Sequence, residues 1–238
     1  MILEQETEIS LFVLTYFNFN GGILIIYQKM VKYYQKMVTY INMFLFHNRM
    51  NAEEKIFAAF YGLKKQKVYY NQIKEYSNLS HSSLQNALKK LLERKILFEE
   101  KTKSNVFYSI RNKKLVSLKF SEIALQKFSE LNIGVRIPLQ NFLSDLPQDI
   151  FSVILFGSAS RKEEQKGSDI DLLIVTNEKH DFKQQKDDAE LISKYPLSLF
   201  ECSIQEFIES KDPVILQARK TGFPIFKEQN FFEVEFDD

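Results

Sequence analysis

The clearest pattern along the chain is an amphipathic stretch over Ser82–Arg94, in which apolar side chains recur every three or four residues. Two shorter stretches with helical spacing precede it, at Ala52–Tyr61 and Tyr70–Tyr76. Short apolar segments follow it at Ile96–Phe98 and Val106–Ile110, separated by a polar tip. The pattern therefore predicts three helices followed by a β-hairpin.

After residue 112 the pattern predicts two helices and then a sheet. The helices are expected over Glu122–Leu131 and Leu139–Leu146, with a break at Gly134 and Pro138, because both residue types interrupt helices. Apolar segments typical of strands come next, at Phe151–Phe156, Ser168–Val175 and Leu197–Ser203. A final helix is expected to start at Asp212-Pro213 and to end at Gly222, before Phe223–Phe226. The last residues, Phe231–Asp238, fit an edge strand, a contact segment or a frayed end.

Residues 1–49 differ from the rest of the chain. The uncharged segment Ile9–Tyr27 is interrupted by Asn and Gly, so it fits a membrane helix of roughly 20 apolar residues poorly. The five residues Tyr27–Val31 recur as Tyr34–Val38. Two interpretations remain open: a helical hairpin added to the core, or extra residues ahead of a true start at Met50. No membrane association is expected.

Charge divides the chain in two. Residues 51–114 hold 14 Lys and Arg against 6 Glu, a net charge of +8, whereas residues 145–238 hold 11 Lys and Arg against 20 Asp and Glu, a net charge of −9. A basic segment can meet nucleic acid, and an acidic one would need cations to hold a phosphate substrate. We therefore expect an α+β protein with an extension at 1–49, a domain at 50–112, a helical connector at 113–144 and a second domain at 145–238.

The order of elements in residues 51–111 resembles a winged helix-turn-helix. This resemblance implies a recognition helix and a wing that contact DNA, through residue types that bond base edges or phosphates. The alternative is a solvated face of a protein-contact module. The expected DNA-binding residues are Ser82, Ser83, Gln85, Asn86, Lys89, Lys90, Lys101 and Lys103.

A second group of residues indicates phosphate chemistry. The apolar segment Phe151–Phe156 ends in Gly157-Ser158, and ten residues later Asp169 and Asp171 open the next strand. Glycine allows a backbone to approach a phosphate closely, and amides that follow a strand favour an anion. Carboxylates two apart on a strand face the same side and can share Mg²⁺ ions, which clamp the oxygens of a phosphoryl transfer.

The segment Leu155–Val175, with both Gly157-Ser158 and Asp169-Ile-Asp171, resembles the signature of the DNA polymerase β-like nucleotidyltransferase superfamily, and especially its minimal branch. The resemblance implies a mixed sheet with flanking helices. It also implies Mg²⁺-dependent transfer of a nucleoside monophosphate from a nucleoside triphosphate, with ATP as the expected donor. The nucleotide-binding residues would be Gly157, Ser158, Arg161 and Ser168, and the metal-binding residues Asp169 and Asp171.

This chain departs from the family pattern at two positions. The family usually has glycine after the arginine, and here that position is Lys162. Active members also carry a third carboxylate on a later strand, which helps to activate the acceptor hydroxyl. The candidate strand offers Ser198 and Glu201, and these lie three residues apart, so they face opposite sides. Glu201 completes the catalytic set, with Asp169 and Asp171, only if the strand has a different register, and Glu206 is a further candidate.

Two functions follow from these features. The first is a nucleotidyltransferase whose acceptor hydroxyl belongs to a protein, an RNA end or a small molecule. The second is a DNA-binding regulator in which a weakened domain senses nucleotide or forms a homodimer; a pure interaction protein is the remaining alternative. The single cysteine, Cys202, excludes an internal disulfide and fits the cytoplasm, where we expect the protein to act.

Overall fold

The computed structural model describes residues 50–209 and 211–237. The expectations for residues 1–49, including the helical hairpin, lie outside the described residues. Among the described helices, none is long and apolar enough to cross a membrane.

The first part of the described chain, residues 51–111, is called here the hairpin module. Its three helices and the β-hairpin that follows them have the order that the sequence predicts. Its short first strand was not predicted. The strands pair antiparallel in the order β1-β3-β2. The elements are α1 (Ala52–Leu63), β1 (Lys67–Tyr69), α2 (Tyr70–Ser77), α3 (His81–Glu93), β2 (Leu97–Lys101) and β3 (Val106–Ile110).

Local signals place the ends of these helices. The Asn51 side chain accepts hydrogen bonds from the amides of Glu53 and Glu54 at the start of α1, and Ser80 caps α3 in the same way. Such caps satisfy amides that have no partner inside a helix. The apolar stripe of α3 then packs into a core with α1 and α2. The fully buried side chains of this core include Ile56, Phe60, Ile73, Leu84 and Leu91.

Two connector helices follow, α4 (Lys113–Ser129) and α5 (Ile133–Ser144). The two helices are separated as expected, but the break lies at residues 130–132; its expected position at Gly134 and Pro138 is wrong, because α5 continues through both residues. Pro138 is itself buried, beside Val135 and Leu139 on the inner face of α5. Burial of this apolar face outweighs the loss of one backbone hydrogen bond, so packing overrides the local preference.

The C-terminal part of the chain contains a mixed four-stranded sheet, which confirms the predicted α+β class. Its strands run in the order β6-β5-β4-β7, with β4 antiparallel to β5 and β7, and β5 parallel to β6. Four helices accompany the sheet. The elements are β4 (Ser152–Phe156), β5 (Ile170–Val175), α6 (Lys183–Glu190), β6 (Leu197–Cys202), α7 (Ile204–Glu209), α8 (Pro213–Thr221), β7 (Phe223–Phe226) and α9 (Glu228–Asp237).

Residues 228–237 form the helix α9, so the expectation of an edge strand is wrong for this part of the segment. Phe231, Phe232 and Phe236 are buried on this helix. The Phe232 ring packs against Tyr61 of α1 and Phe120 of α4, with ring centroids 5.8 and 5.4 Å apart. The aromatic residues that the sequence left without a role therefore join the hairpin module, the connector and the C-terminal part in one core.

Candidate functional site

The Gly157 turn begins where the central strand β4 ends. All five residues of β4 are buried, so the strand is held firmly in the sheet. Gly157 then adopts φ +71°, a conformation that side chains with a Cβ rarely adopt. Arg161 closes the turn, because its Nη1 donates to the Gly157 carbonyl at 2.9 Å and its Nε donates to Glu163 at 2.6 Å.

The Asp171 carboxylate lies directly against this turn. In the antiparallel pair β4–β5, Phe156 is the partner of Asp171. A Cβ built on Gly157 would come within 2.0 Å of Asp171 Oδ2, a distance that real Cβ atoms essentially never show. The glycine and the carboxylate, which are 14 positions apart in the sequence, therefore share one place in the fold.

The two aspartates form a patch of like charge. Burial, and then repulsion from Asp169, raise the pKa of the Asp171 carboxyl above its ordinary value. Within residues 50–209 and 211–237, no Lys, Arg or His side chain lies within ion-pair distance of either carboxylate. A bound cation would relieve this repulsion.

The donor set at the aspartates fits Mg²⁺. Carboxylate oxygens are hard ligands, and Mg²⁺ is usually held by one or two carboxylates together with substrate phosphates. The described residues hold no cluster of three or more His, Cys, Asp or Glu side chains that could surround a metal. The protein would therefore supply Asp169 and Asp171, and the remaining ligands would be phosphate oxygens and water.

Ser198 occupies the position beside the aspartates on the neighbouring strand. It is the register partner of Asp171 in the parallel pair β5–β6, and its hydroxyl donates to Asp169 Oδ2 at 3.0 Å. The parallel register pairs Glu201 with Ile174, on the opposite face of the sheet. The structure therefore brings Ser198 to the carboxylates and leaves Glu201 away from them.

The further acidic candidate, Glu206, has a structural contact instead. It accepts hydrogen bonds from the amide and the hydroxyl of Ser203 at the start of α7, and these lower the pKa of its carboxyl. Cys202 is buried, which raises the pKa of its thiol to about 12 and keeps it protonated. Neither residue joins the site.

The remaining predicted nucleotide-binding residues shape the loop between the glycine and the aspartates. Ser158 is half-buried, and its carbonyl accepts from the amides of Arg161 and Glu163. The Ser168 hydroxyl accepts from the Gln165 amide at 2.9 Å, and the Ser168 amide donates back to Gln165. Ser168 thus closes the loop just before Asp169.

Lys162 stands where the family that this segment resembles usually has glycine, and its backbone conformation gives a reason for that preference. It ends the 3-10 turn Ala159–Arg161 with φ +60°, in the left-handed region that favours glycine. Its ammonium group lies 3.3 Å from Glu130, at the end of the connector helix α4. Asn132 similarly donates to Glu164. Sequence reasoning missed these two anchors, since partners 32 positions apart leave no local pattern.

The residues expected to bind DNA lie at the surface of the hairpin module. All six predicted positions on α3 are exposed, while Leu84, Ala87, Leu88 and Leu91 of the same helix are buried. Lys101 lies near the end of β2, 3.0 Å from Glu99, and Lys103 lies in the exposed hairpin tip. The structure therefore brings the α3 residues together on one open polar face.

Three comparisons with known proteins bear on this geometry. Residues 139–231 match the family model described as a nucleotidyltransferase domain. No curated protein matches the chain. One solved structure that matches is BpsR from Bordetella bronchiseptica, a protein whose DNA binding is regulated by 6-hydroxynicotinic acid. It is 17% identical to this chain, and the match covers 54% of this chain and 93% of the BpsR chain. Its TM-score is 0.29, so it carries no argument about this chain.

The matched range begins in α5 and includes the whole four-stranded sheet, the Gly157 turn and the aspartate pair. The resemblance inferred from Leu155–Val175 is thereby confirmed by an independent match over a longer stretch. Residues 139–231 of this chain form a nucleotidyltransferase domain.

Proposed function

We propose that the protein is a Mg²⁺-dependent nucleotidyltransferase that takes a nucleoside triphosphate such as ATP. The observation that carries the proposal is the contact between Gly157 and Asp171. In this contact a glycine without a Cβ, where a phosphate can approach the backbone, lies against the Asp171 carboxylate, and neither aspartate has a basic partner among the described residues.

Each residue of this site has a proposed part. Asp169 and Asp171 would hold Mg²⁺, which when bound neutralises phosphate charge and polarises the phosphoryl oxygens. The Gly157 turn and the Ser158 hydroxyl would hold the triphosphate. Arg161 and Ser168 would position the turn and the loop through their contacts with Gly157 and Gln165.

Ser198 bears on how fast the domain transfers. It lies where the family resemblance implies a third carboxylate, and a serine hydroxyl is a poor general base at neutral pH. We propose that this site activates the acceptor hydroxyl only weakly. The domain would then bind nucleotide but transfer it slowly. The acceptor would be a protein, an RNA end or a small molecule.

The test is transfer of label from α-³²P-labelled nucleoside triphosphates into cell extract, with Mg²⁺. The variant is Asp169→Asn with Asp171→Asn, and the matched control is Asp187→Asn with Asp188→Asn, which changes two exposed acids on α6. Label that requires the first pair and not the second supports the enzyme, and the size of the labelled molecule identifies the acceptor class. Equal labelling by both variants contradicts the proposed site.

A second function, a DNA-binding regulator that senses nucleotide, is favoured by the open polar face of α3. This face has four uncharged polar side chains and two lysines, and it lies within residues 51–114, which carry a net charge of +8. We propose that the hairpin module is a winged helix and that α3 enters the major groove of DNA. Under this proposal, the domain binds nucleotide without transferring it, because Ser198 stands where a third carboxylate is expected.

The two functions are separated by measurements on one preparation. Nucleotide binding that needs Mg²⁺, without any label transfer, supports the regulator. Transfer of label supports the enzyme, and DNA binding can accompany either outcome. Absence of DNA binding even at low salt, where phosphate contacts are strongest, rejects the DNA-binding role.

A further inference from the structure

An exposed aromatic ring lies close to the carboxylate pair. Phe200 is on β6, two residues beyond Ser198, and 37% of its surface remains open to solvent. Its ring packs against that of Phe156, the last residue of β4, with centroids 5.7 Å apart and planes tilted by 55°. One side of the ring is thereby supported by the core while part of it stays accessible.

The strand registers put this ring on the same face of the sheet as the site. Phe156, Asp171 and Ser198 are partners across β4, β5 and β6, so they form one row. Leu173 and Phe200 form the row two residues further along, and residues two apart on a strand share a face. Strand rise and spacing place Phe200 about 8 Å from Asp171, measured between Cα atoms.

This separation suits one nucleotide. With the phosphates at the Gly157 turn and the aspartates, the nucleoside part must extend away from them. A flat ring about one nucleoside away, rigidly backed by Phe156, offers what a base can stack on. Phenylalanine has no hydrogen-bonding group, and Glu201, the next residue, faces the other side of the sheet. Stacking on this ring would therefore accept any base.

We propose that Phe200 stacks on the base of the bound nucleoside triphosphate, so that the site discriminates only weakly among the bases. This inference rests on the proposed nucleotide site. Because every base has a π-face, purines bind more tightly than pyrimidines only to the extent that their larger rings stack better. The ring acts as a positioning residue, which affects binding of the nucleoside part and leaves the phosphate contacts unchanged.

The experiment measures the dissociation constants of Mg·ATP and Mg·tripolyphosphate for the native protein and for Phe200→Leu and Phe200→Tyr. The matched control is Phe98→Leu, which changes an exposed phenylalanine of the hairpin module. We expect Phe200→Leu to weaken Mg·ATP binding by roughly five- to a hundredfold and to leave Mg·tripolyphosphate unchanged. Phe200→Tyr should keep native affinity, and Phe98→Leu should change neither ligand.

The outcomes separate this inference from the proposed function. If the native protein binds neither ligand, the nucleotide site itself fails and the stacking proposal falls with it. If it binds both, and Phe200→Leu binds Mg·ATP as tightly as the native protein does, stacking alone is overturned; an accompanying rise in acceptor KM would then assign the ring to the acceptor. A large preference for ATP over GTP would also overturn the proposal, since it requires hydrogen bonding that Phe200 lacks.

Discussion

Replacement of Gly157 by alanine tests the contact on which the site depends. Alanine at φ +71° costs roughly 1–2 kcal/mol in backbone strain. The new Cβ would also lie 2.0 Å from Asp171 Oδ2 and 3.0 Å from its Cγ, so the carboxylate must leave its position. A forced side-chain rotation costs about 0.5–1.5 kcal/mol, so the expected total is about 1.5–3.5 kcal/mol.

Two further variants isolate the steric part of this cost. Gly167→Ala is the matched control, because Gly167 has φ +90° and nothing within 4 Å of the new Cβ. It should cost the backbone strain alone and preserve nucleotide binding. In an Asp171→Ala background the nearest remaining side-chain atom, the Asp171 Cβ, is 3.4 Å away. Gly157→Ala should then cost about 1 kcal/mol less than in the native protein, and this difference is the coupling energy.

The assay is urea unfolding followed by far-UV circular dichroism, since the chain has no tryptophan, together with binding of Mg·ATP. Gly157→Ala should lower both stability and affinity, because it displaces a carboxylate of the site. An equal cost of Gly157→Ala in the native and Asp171→Ala backgrounds would refute the contact. Unchanged Mg·ATP affinity in Gly157→Ala would refute the role of the turn in binding.

Four other predictions concern single features of the molecule. Ser198→Asp should raise label transfer at least tenfold in the presence of Mg²⁺, because it restores a carboxylate beside the pair, and an unchanged rate would mean that another group activates the acceptor. Lys162→Gly should be neutral to stabilising by up to about 1 kcal/mol in urea unfolding, because relief of left-handed strain offsets a surface ion pair; a clear loss would make the Glu130 contact more important than the strain. Lys89→Ala with Lys90→Ala should weaken DNA binding and reduce the magnitude of the slope of log affinity against log salt by about 0.9 per lost phosphate contact. The control is Lys179→Ala, which changes an exposed lysine. Equal slopes for the double variant and the native protein would exclude these contacts. The pKa of Asp171 is higher in the folded protein than in the unfolded chain, so its ionisation lowers stability as pH rises through the acid range. Asp171→Asn should therefore raise Tm at neutral pH by a few degrees and abolish Mg²⁺-dependent nucleotide binding. An unchanged Tm would contradict the charge repulsion.

Local patterns were sufficient for most of the elements. The α3 stripe and the strand that ends at Gly157 could be predicted because each depends on residues within a few positions of one another. The pairing of Gly157-Ser158 with Asp169 and Asp171 likewise indicated a nucleotidyltransferase domain, and the family match confirms it.

Elements held by distant contacts could not be predicted in this way. Pro138 has a local preference against helix, and only the buried side of α5 shows why the helix continues. The C-terminal Phe residues of α9 carry a weak helical signal of their own, and their partners Tyr61 and Phe120 lie more than 100 positions earlier. Burial against these partners decides the structure of the tail.

The sequence by itself indicated the nucleotidyltransferase domain, because its expected phosphate chemistry depends on glycine, serine and aspartate residues that lie in one short segment. Only the tertiary structure decided which residue stands beside them. The parallel register of β5 and β6 brings Ser198 to the pair and turns Glu201 to the other face, and a shift of one residue would exchange the faces of these two side chains. Register is set by how buried side chains of both strands pack together, which no local pattern contains.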